Sequence, residues 1–158
     1  AERMLDELSA LRAEAASPVP DSDYPMQLLC RRANNFMNSV GQAMPSLAGG
    51  HTLPSAALHS DDLHGLGLSE GDPVRISSRH GYMRAQACSD DSLRRGTVSV
   101  LHGFGGPATL EHLDPVQAET SVNRIVGLDE RDPISGIPRM TGLPVRVSLF
   151  IEDKGMNR

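Results

Sequence analysis

The sequence predicts a mainly β domain, a small barrel or sandwich with few helices. Short apolar and alternating segments recur along most of the chain, and tight turns separate them. Only one short helical stretch interrupts them mid-chain, at "SDDLHGLGL". No period repeats, and no segment is of low complexity.

Each element follows from local chemistry. Residues 1–16, "AERMLDELSALRAEAA", place Met4, Leu8, Leu11 and Ala15 at helical spacing. "SPVPDSD" stops that helix, which is expected either to dock on the domain or to belong to a neighbouring one. "YPMQLLC" reads as a strand, "AMPSLAGGH" as a loop and "LPSAALHS" as extended chain. Ser60 is the expected N-cap of the mid-chain helix, with Asp61 and Asp62 in its first turn and Gly65 or Gly67 at its end. "PVRIS" and "YMRAQACS" alternate around a Gly81 turn; Met83, Ala85 and Ala87 form one face of the second strand. "DDSLRRG" turns into the strand "TVSVLHG", and a long segment from Gly103 to about Gln117 follows. "LPVRVSLFIE" is the last strand, with Val145, Val147 and Leu149 on one face. The division expected is a helical appendage over 1–22, a barrel over 23–153 and a tail over 154–158.

Composition sets outer bounds. A net charge of −5 and a pI of about 5.6 argue against a general nucleic-acid binder while leaving room for a local basic pocket. No apolar run approaches the ~18 residues of a membrane span, and no signal peptide is visible, so a cytoplasmic location is expected. The chain opens "AERML", without Met, and is expected to be cut from something longer. Cys30 and Cys88 are far apart and form no CxxC pair, which leaves two buried thiols as the expectation. His51, His59, His64, His80 and His112 show no metal-ligand spacing and read as turn or surface residues. The pairs Asp61/Asp62 and Asp90/Asp91 resemble acid–base carboxylates, but capping and solvation explain both.

One stretch resists the strand reading: "LLCRRANNFMNSVGQ", Leu28 to Gln42. Two arginines, three asparagines and a serine follow two leucines. Guanidinium groups match phosphates. Asparagine is the shortest side chain that offers a ring edge both a donor and an acceptor. The same residues also suit a solvated surface loop whose asparagines serve turn geometry.

The order of motifs decides between these. "LGLSEGD", "PVRISS", "MRAQACS", "LRRG", "TVSVLHGFG" and then "SVNRIVGLDERDPISGIPRMTGLPVRV" resemble the C-terminal molybdopterin-dinucleotide-binding domain of the dimethyl-sulfoxide-reductase family of molybdenum and tungsten enzymes. The resemblance runs from about Tyr24 to Ile151. It implies a double-psi β-barrel with short helices that clamps molybdopterin guanine dinucleotide, bound as a pair around molybdenum or tungsten. The partners implied are the remaining domains or subunits of the oxidoreductase; the metal's ligand and the catalysis belong to those parts, and no catalytic or metal-binding residue is implied here. The cofactor-contacting residues implied are Arg32, Ala33, Asn34, Asn38 and Ser39 in the first turn, then His102, Gly103, Asn123 and Thr141. Three features depart from the family pattern: Phe36 replaces a frequent His or other ring, Ile125-Val126 replaces Leu-Thr, and "DERDPISGIP" is one residue longer than usual.

Two other readings use a similar barrel. An enzyme like aspartate decarboxylase needs a Gly-Ser bond for self-cleavage, and the sequence contains none. A protein-interaction barrel without cofactor is the alternative, and the "RRANNFMNS" turn and Asn123 favour the cofactor-binding reading over it.

Overall fold

A computed structural model describes residues 2–16, 21–34, 37–40, 44–48, 53–105, 118–129 and 131–152. Six strands close into a barrel: β1 (Met26–Arg31), β2 (Ser55–Leu58), β3 (Pro73–Ser78), β4 (Gly81–Ser89), β5 (Thr97–Leu101) and β6 (Thr141–Leu149). Their order around the barrel is β1-β5-β2-β4-β3-β6. Two pairs, β1 with β5 and β2 with β4, are parallel, and the other four are antiparallel. Exchanging β1–β3 with β4–β6 leaves every neighbour relation intact, so the fold is a double-psi barrel with a twofold repeat in its connectivity.

Strand directions define two ends. β1, β3 and β5 finish, and β2, β4 and β6 begin, at one end, termed the upper rim. The chain enters β1 and leaves β6 at the lower end.

The core follows the period-2 alternation. Leu28, Ala56, Leu58, Val74, Ile76, Met83, Ala85, Ala87, Val98, Val100, Leu143, Val145 and Val147 face inward and are buried. Leu63 and Leu68 close the lower end, and Val122 and Ile125 close the upper one. Leu149 shares the alternation of Val145 and Val147 but is 48% exposed, because β6 runs past the end of the core. In the absence of Trp, the interior is built from Val, Leu, Ile, Ala and Met side chains.

Helix α1 (Glu2–Ala16) forms as its spacing predicts, but Met4, Leu5, Leu8 and Leu11 remain exposed. A long hydrogen bond, Arg3 Nη2 to the Pro133 carbonyl at 3.5 Å, reaches from it towards the barrel. Within "AMPSLAGGH", Pro45–Ala48 form a single helical turn, α2, where a plain loop is expected; proline at its first position suits a helix start. Helix α3 (Ser60–Gly65) begins one residue earlier than expected: His59, not Ser60, is the N-cap, its Nδ1 accepting the Asp61 N–H at 3.1 Å. Gly67, at φ +68°, carries the chain out of that helix. The linker 17–20 and the tail 153–158 lie outside the described residues, as do His51 and His112.

Both cysteines are free thiols, half-buried rather than fully buried. Burial pushes the Cys30 thiol up to about 11, and it raises Cys88 as well, which leaves both poor nucleophiles near neutral pH. No helix among the described residues is long and apolar enough to cross a membrane.

Candidate functional site

Arg32, His102, Gly103 and Thr141 lie where strands end or begin at the upper rim. β1 ends at Arg31, and Arg32, Ala33 and Asn34 continue from it into the β1–β2 connection. Because β1 and β5 are parallel, Arg31 lies opposite Leu101 and both chains leave the barrel side by side. The His102 N–H donates to the Arg31 carbonyl at 3.0 Å and extends that pairing by one residue. On the other flank of β1, Leu29 pairs with Thr141, the first residue of β6. Arg32 and His102 therefore leave the barrel side by side, and Thr141 lies on the neighbouring strand, level with Leu29.

The two arginines divide the work. Arg31 lies on the barrel wall, its Nη2 donating to Ser55 Oγ at 3.2 Å and its Nη1 4.0 Å from Asp90 Oδ2. Arg31 Nε is buried without a hydrogen-bond partner among the described residues. Arg32 is exposed at the rim and makes no hydrogen bond or ion pair among the described residues. The resemblance names Arg32 alone; in the structure Arg31 is the last residue of β1 and Arg32 lies just past it.

Asn38 and Ser39 form the tip of a tight turn closed by reciprocal backbone bonds between Met37 and Val40, 2.9 and 3.2 Å long. Asn38 has φ +55°, a left-handed conformation that asparagine tolerates better than most residues. Both side chains are exposed. Phe36, between this turn and Asn34, lies outside the described residues, as does Gly106 of "LHGFGG".

Asn123 stands on a 3₁₀ turn, Val122–Arg124, capped by Ser121, whose Oγ accepts the Asn123 N–H at 3.4 Å. This turn packs against the β3–β4 hairpin: Arg124 Nε donates to the Tyr82 carbonyl at 3.2 Å. It also meets the β5 exit, since a Cβ on Gly105 would lie 2.8 Å from Ser121 Cβ. Gly103 and Gly105, at φ +99° and +129°, allow that close passage. The Asn123 side chain is exposed. The Ile125-Val126 departure has a packing reason: Ile125 is fully buried and Val126 packs against the core.

The segment before β6 is a structural turn. Asp132 Oδ1 accepts from the Ser135 hydroxyl at 2.7 Å, the Ser135 N–H at 2.6 Å and the Ile134 N–H at 3.2 Å. Gly136 follows at φ +72°. The hydrogen bonds from Ser135 hold the Asp132 carboxyl below its ordinary value of 3.8. Its contribution is present above that value and lost as the pH falls through the lower folded one. Asp132→Ala is therefore expected to speed amide exchange at Ser135 at neutral pH, whereas the native turn opens only in stronger acid. Unchanged Ser135 protection in the variant would refute this.

The carboxylate pairs are structural. The Ser92 hydroxyl and N–H hold Asp90 below its ordinary range, and the Ser60 contact holds Asp91 there. Asp62 accepts the Gly96 N–H at 2.6 Å and so ties α3 to the β4–β5 turn. Among the described residues, no three His, Cys, Asp or Glu side chains gather as metal ligands.

The rim of the closed barrel carries guanidinium, carboxamide, imidazole and hydroxyl groups beside glycine backbone. The comparisons with known proteins make the class specific. Residues 26–144 match the family described as molydopterin dinucleotide binding domain, and the chain belongs to that family, which is carried by enzymes of the dimethyl-sulfoxide-reductase group. The chain is 26% identical over 149 residues to a tetrathionate reductase subunit of Salmonella typhimurium, a match covering 81% of this chain and 14% of that protein. Its fold is that of a region of acetylene hydratase from Pelobacter acetylenicus, with a TM-score of 0.75 at 21% identity, covering 87% of this chain and 20% of that one. The chain thus corresponds to a seventh to a fifth of the length of these relatives.

Proposed function

We propose that the upper rim binds molybdopterin guanine dinucleotide and that the barrel clamps it within a larger molybdenum- or tungsten-dependent oxidoreductase. The observation that carries this reading is the gathering of polar side chains at one rim, through β6, β1, β5 and the Val122–Arg124 turn. Arg32 suits a pyrophosphate oxygen. Asn34, Asn38 and Asn123 suit the amide-like edges of the pterin and guanine rings. His102, Ser39 and Thr141 add single donors, and Ala33 and Gly103 let backbone approach closely. When bound, the group supplies the metal's redox chemistry; this chain's residues hold and orient it.

The fit rests on donor chemistry. The ligand is anionic along its phosphates, and the rim offers a positive group not neutralised by a described carboxylate. The Arg31 guanidinium, by contrast, is engaged on the wall by Ser55 and Asp90.

The direct test supplies molybdopterin guanine dinucleotide to the purified chain and to a complex of the chain with the rest of the oxidoreductase. Retention through gel filtration is expected in the complex at least. Loss of the ligand from both preparations would overturn the reading.

A further inference from the structure

We infer that the β3–β4 hairpin is the positioning element for Asn123, acting through Ser78 and the Tyr82–Glu119 pair. This rests on the cofactor-binding role proposed for the rim, and it assigns a task to residues on the far side of the barrel from β1.

A single 3₁₀ turn has poor hydrogen-bond geometry and little stability of its own. Its orientation must come from its surroundings, and here the hairpin provides them. Buried Ser78 donates from Oγ to the Ile125 carbonyl at 2.7 Å, just past the turn, and accepts the His80 N–H at 3.1 Å. Tyr82 Oη donates to Glu119 Oε1 at 2.6 Å, and the Arg84 N–H donates to the Glu119 carbonyl at 2.7 Å, just before the turn. Arg124 Nε reaches the Tyr82 carbonyl, so the hairpin grips the segment on both sides of Asn123. Gly81 completes the fit: a Cβ there would lie 2.7 Å from the Arg124 carbonyl oxygen, a backbone atom that cannot step aside alone. These bonds go to the residues flanking the turn or come from the Arg124 side chain, and among the described residues none occupies the Asn123 carboxamide. A turn that merely sealed the barrel would need only Val122 and Ile125.

The test is a double-mutant cycle in the intact oxidoreductase, read as the release rate of molybdopterin guanine dinucleotide followed by pterin fluorescence. Asn123→Ala should speed release about fivefold, the effect of one hydrogen bond. Tyr82→Phe keeps the ring but loses the bond to Glu119, and should speed release about threefold. In the Asn123→Ala background, Tyr82→Phe should add nothing. Glu119→Gln, which keeps an acceptor for Tyr82, should release at nearly the native rate, and Glu119→Ala should behave like Tyr82→Phe. Equal effects of Tyr82→Phe in both backgrounds, or no effect in either, would overturn the inference while leaving the cofactor reading intact. If Asn123→Ala itself releases at the native rate, Asn123 is not a contact, and the inference fails with that part of the reading. Should Tyr82→Phe fold poorly, Ser78→Ala in the same cycle decides on the same criteria.

Discussion

Replacing Arg32 by alanine together with Asn38 by glycine is expected to weaken dinucleotide affinity of the intact protein about thirtyfold, and so to lower its occupancy, while leaving its melting temperature nearly unchanged. The size follows from one charge-assisted and one neutral hydrogen bond, roughly 2 kcal/mol together. Both residues are exposed, and Arg32 makes no described hydrogen bond or ion pair, so the folded state loses little. The choice of glycine matters. Asn38 sits at φ +55°, where alanine would add roughly 1 kcal/mol or more of backbone strain to the loss of the amide. Glycine removes the amide and keeps the turn. Occupancy is read as pterin and metal per polypeptide, and stability by calorimetry. Native occupancy with a lowered melting temperature would make both residues structural. Arg31→Ala offers a contrast: it breaks the contacts to Ser55 and Asp90 and is expected to affect the barrel wall.

The opposite pattern is expected for Leu58→Ala. Leu58 is fully buried in β2, pairs with Ser89 and Val98, and sits towards the lower end of the barrel. Truncating a buried leucine costs about 2–5 kcal/mol, from lost transfer energy and the cavity left behind. Against a total stability of about 5–15 kcal/mol, that is a large fraction. Denaturant unfolding measures it. A cost below about 1 kcal/mol would mean that the barrel relaxes around the gap and that its interior is not closely packed there. Dinucleotide release from the protein that remains folded should stay at the native rate, because Leu58 ends β2 away from the rim.

The barrel was largely legible in the sequence because its signals are local. Alternation in "PVRISS" and "YMRAQACS" fixes which face of each strand is inward, and burial agrees at Val74, Ile76, Met83, Ala85 and Ala87. The misreadings are also local. At His59 a ring nitrogen caps the helix in place of the expected serine hydroxyl, and at Pro45 a single turn is too short to leave a periodic pattern. The rim is different. That β1, which leads into Arg32, lies between the strand leading to His102 and the strand starting at Thr141 depends on a parallel β1–β5 pair and an antiparallel β1–β6 pair, and no spacing in the sequence encodes those. Only the ordered motifs pointed to that grouping. The hairpin's grip on the Asn123 turn escaped the sequence altogether, since Ser78, Tyr82 and Glu119 are ordinary residues until the fold brings them together. The Tyr82 phenol, its proton held by the Glu119 carboxylate, is raised above its ordinary value, so this contact stays formed across the neutral range.

The twofold repeat in connectivity bears on how such a domain can change. Under the exchange, the long β1–β2 connection, residues 32–54, has as its mate the seven-residue β4–β5 turn, 90–96. The long β5–β6 connection, 102–140, has as its mate the β2–β3 connection, 59–72. Both long members leave and re-enter the barrel at the upper rim, and both short members do so at the lower end. Connection length is therefore uneven between the two ends of a frame whose strand order is symmetric. Loops at the rim can lengthen, shorten or exchange side chains without shifting a strand register, because lower-end ties such as Asp62 to Gly96 keep the strands in place. Ligand preference and structural integrity can then drift independently, and a single frame can serve relatives whose chemistry has diverged.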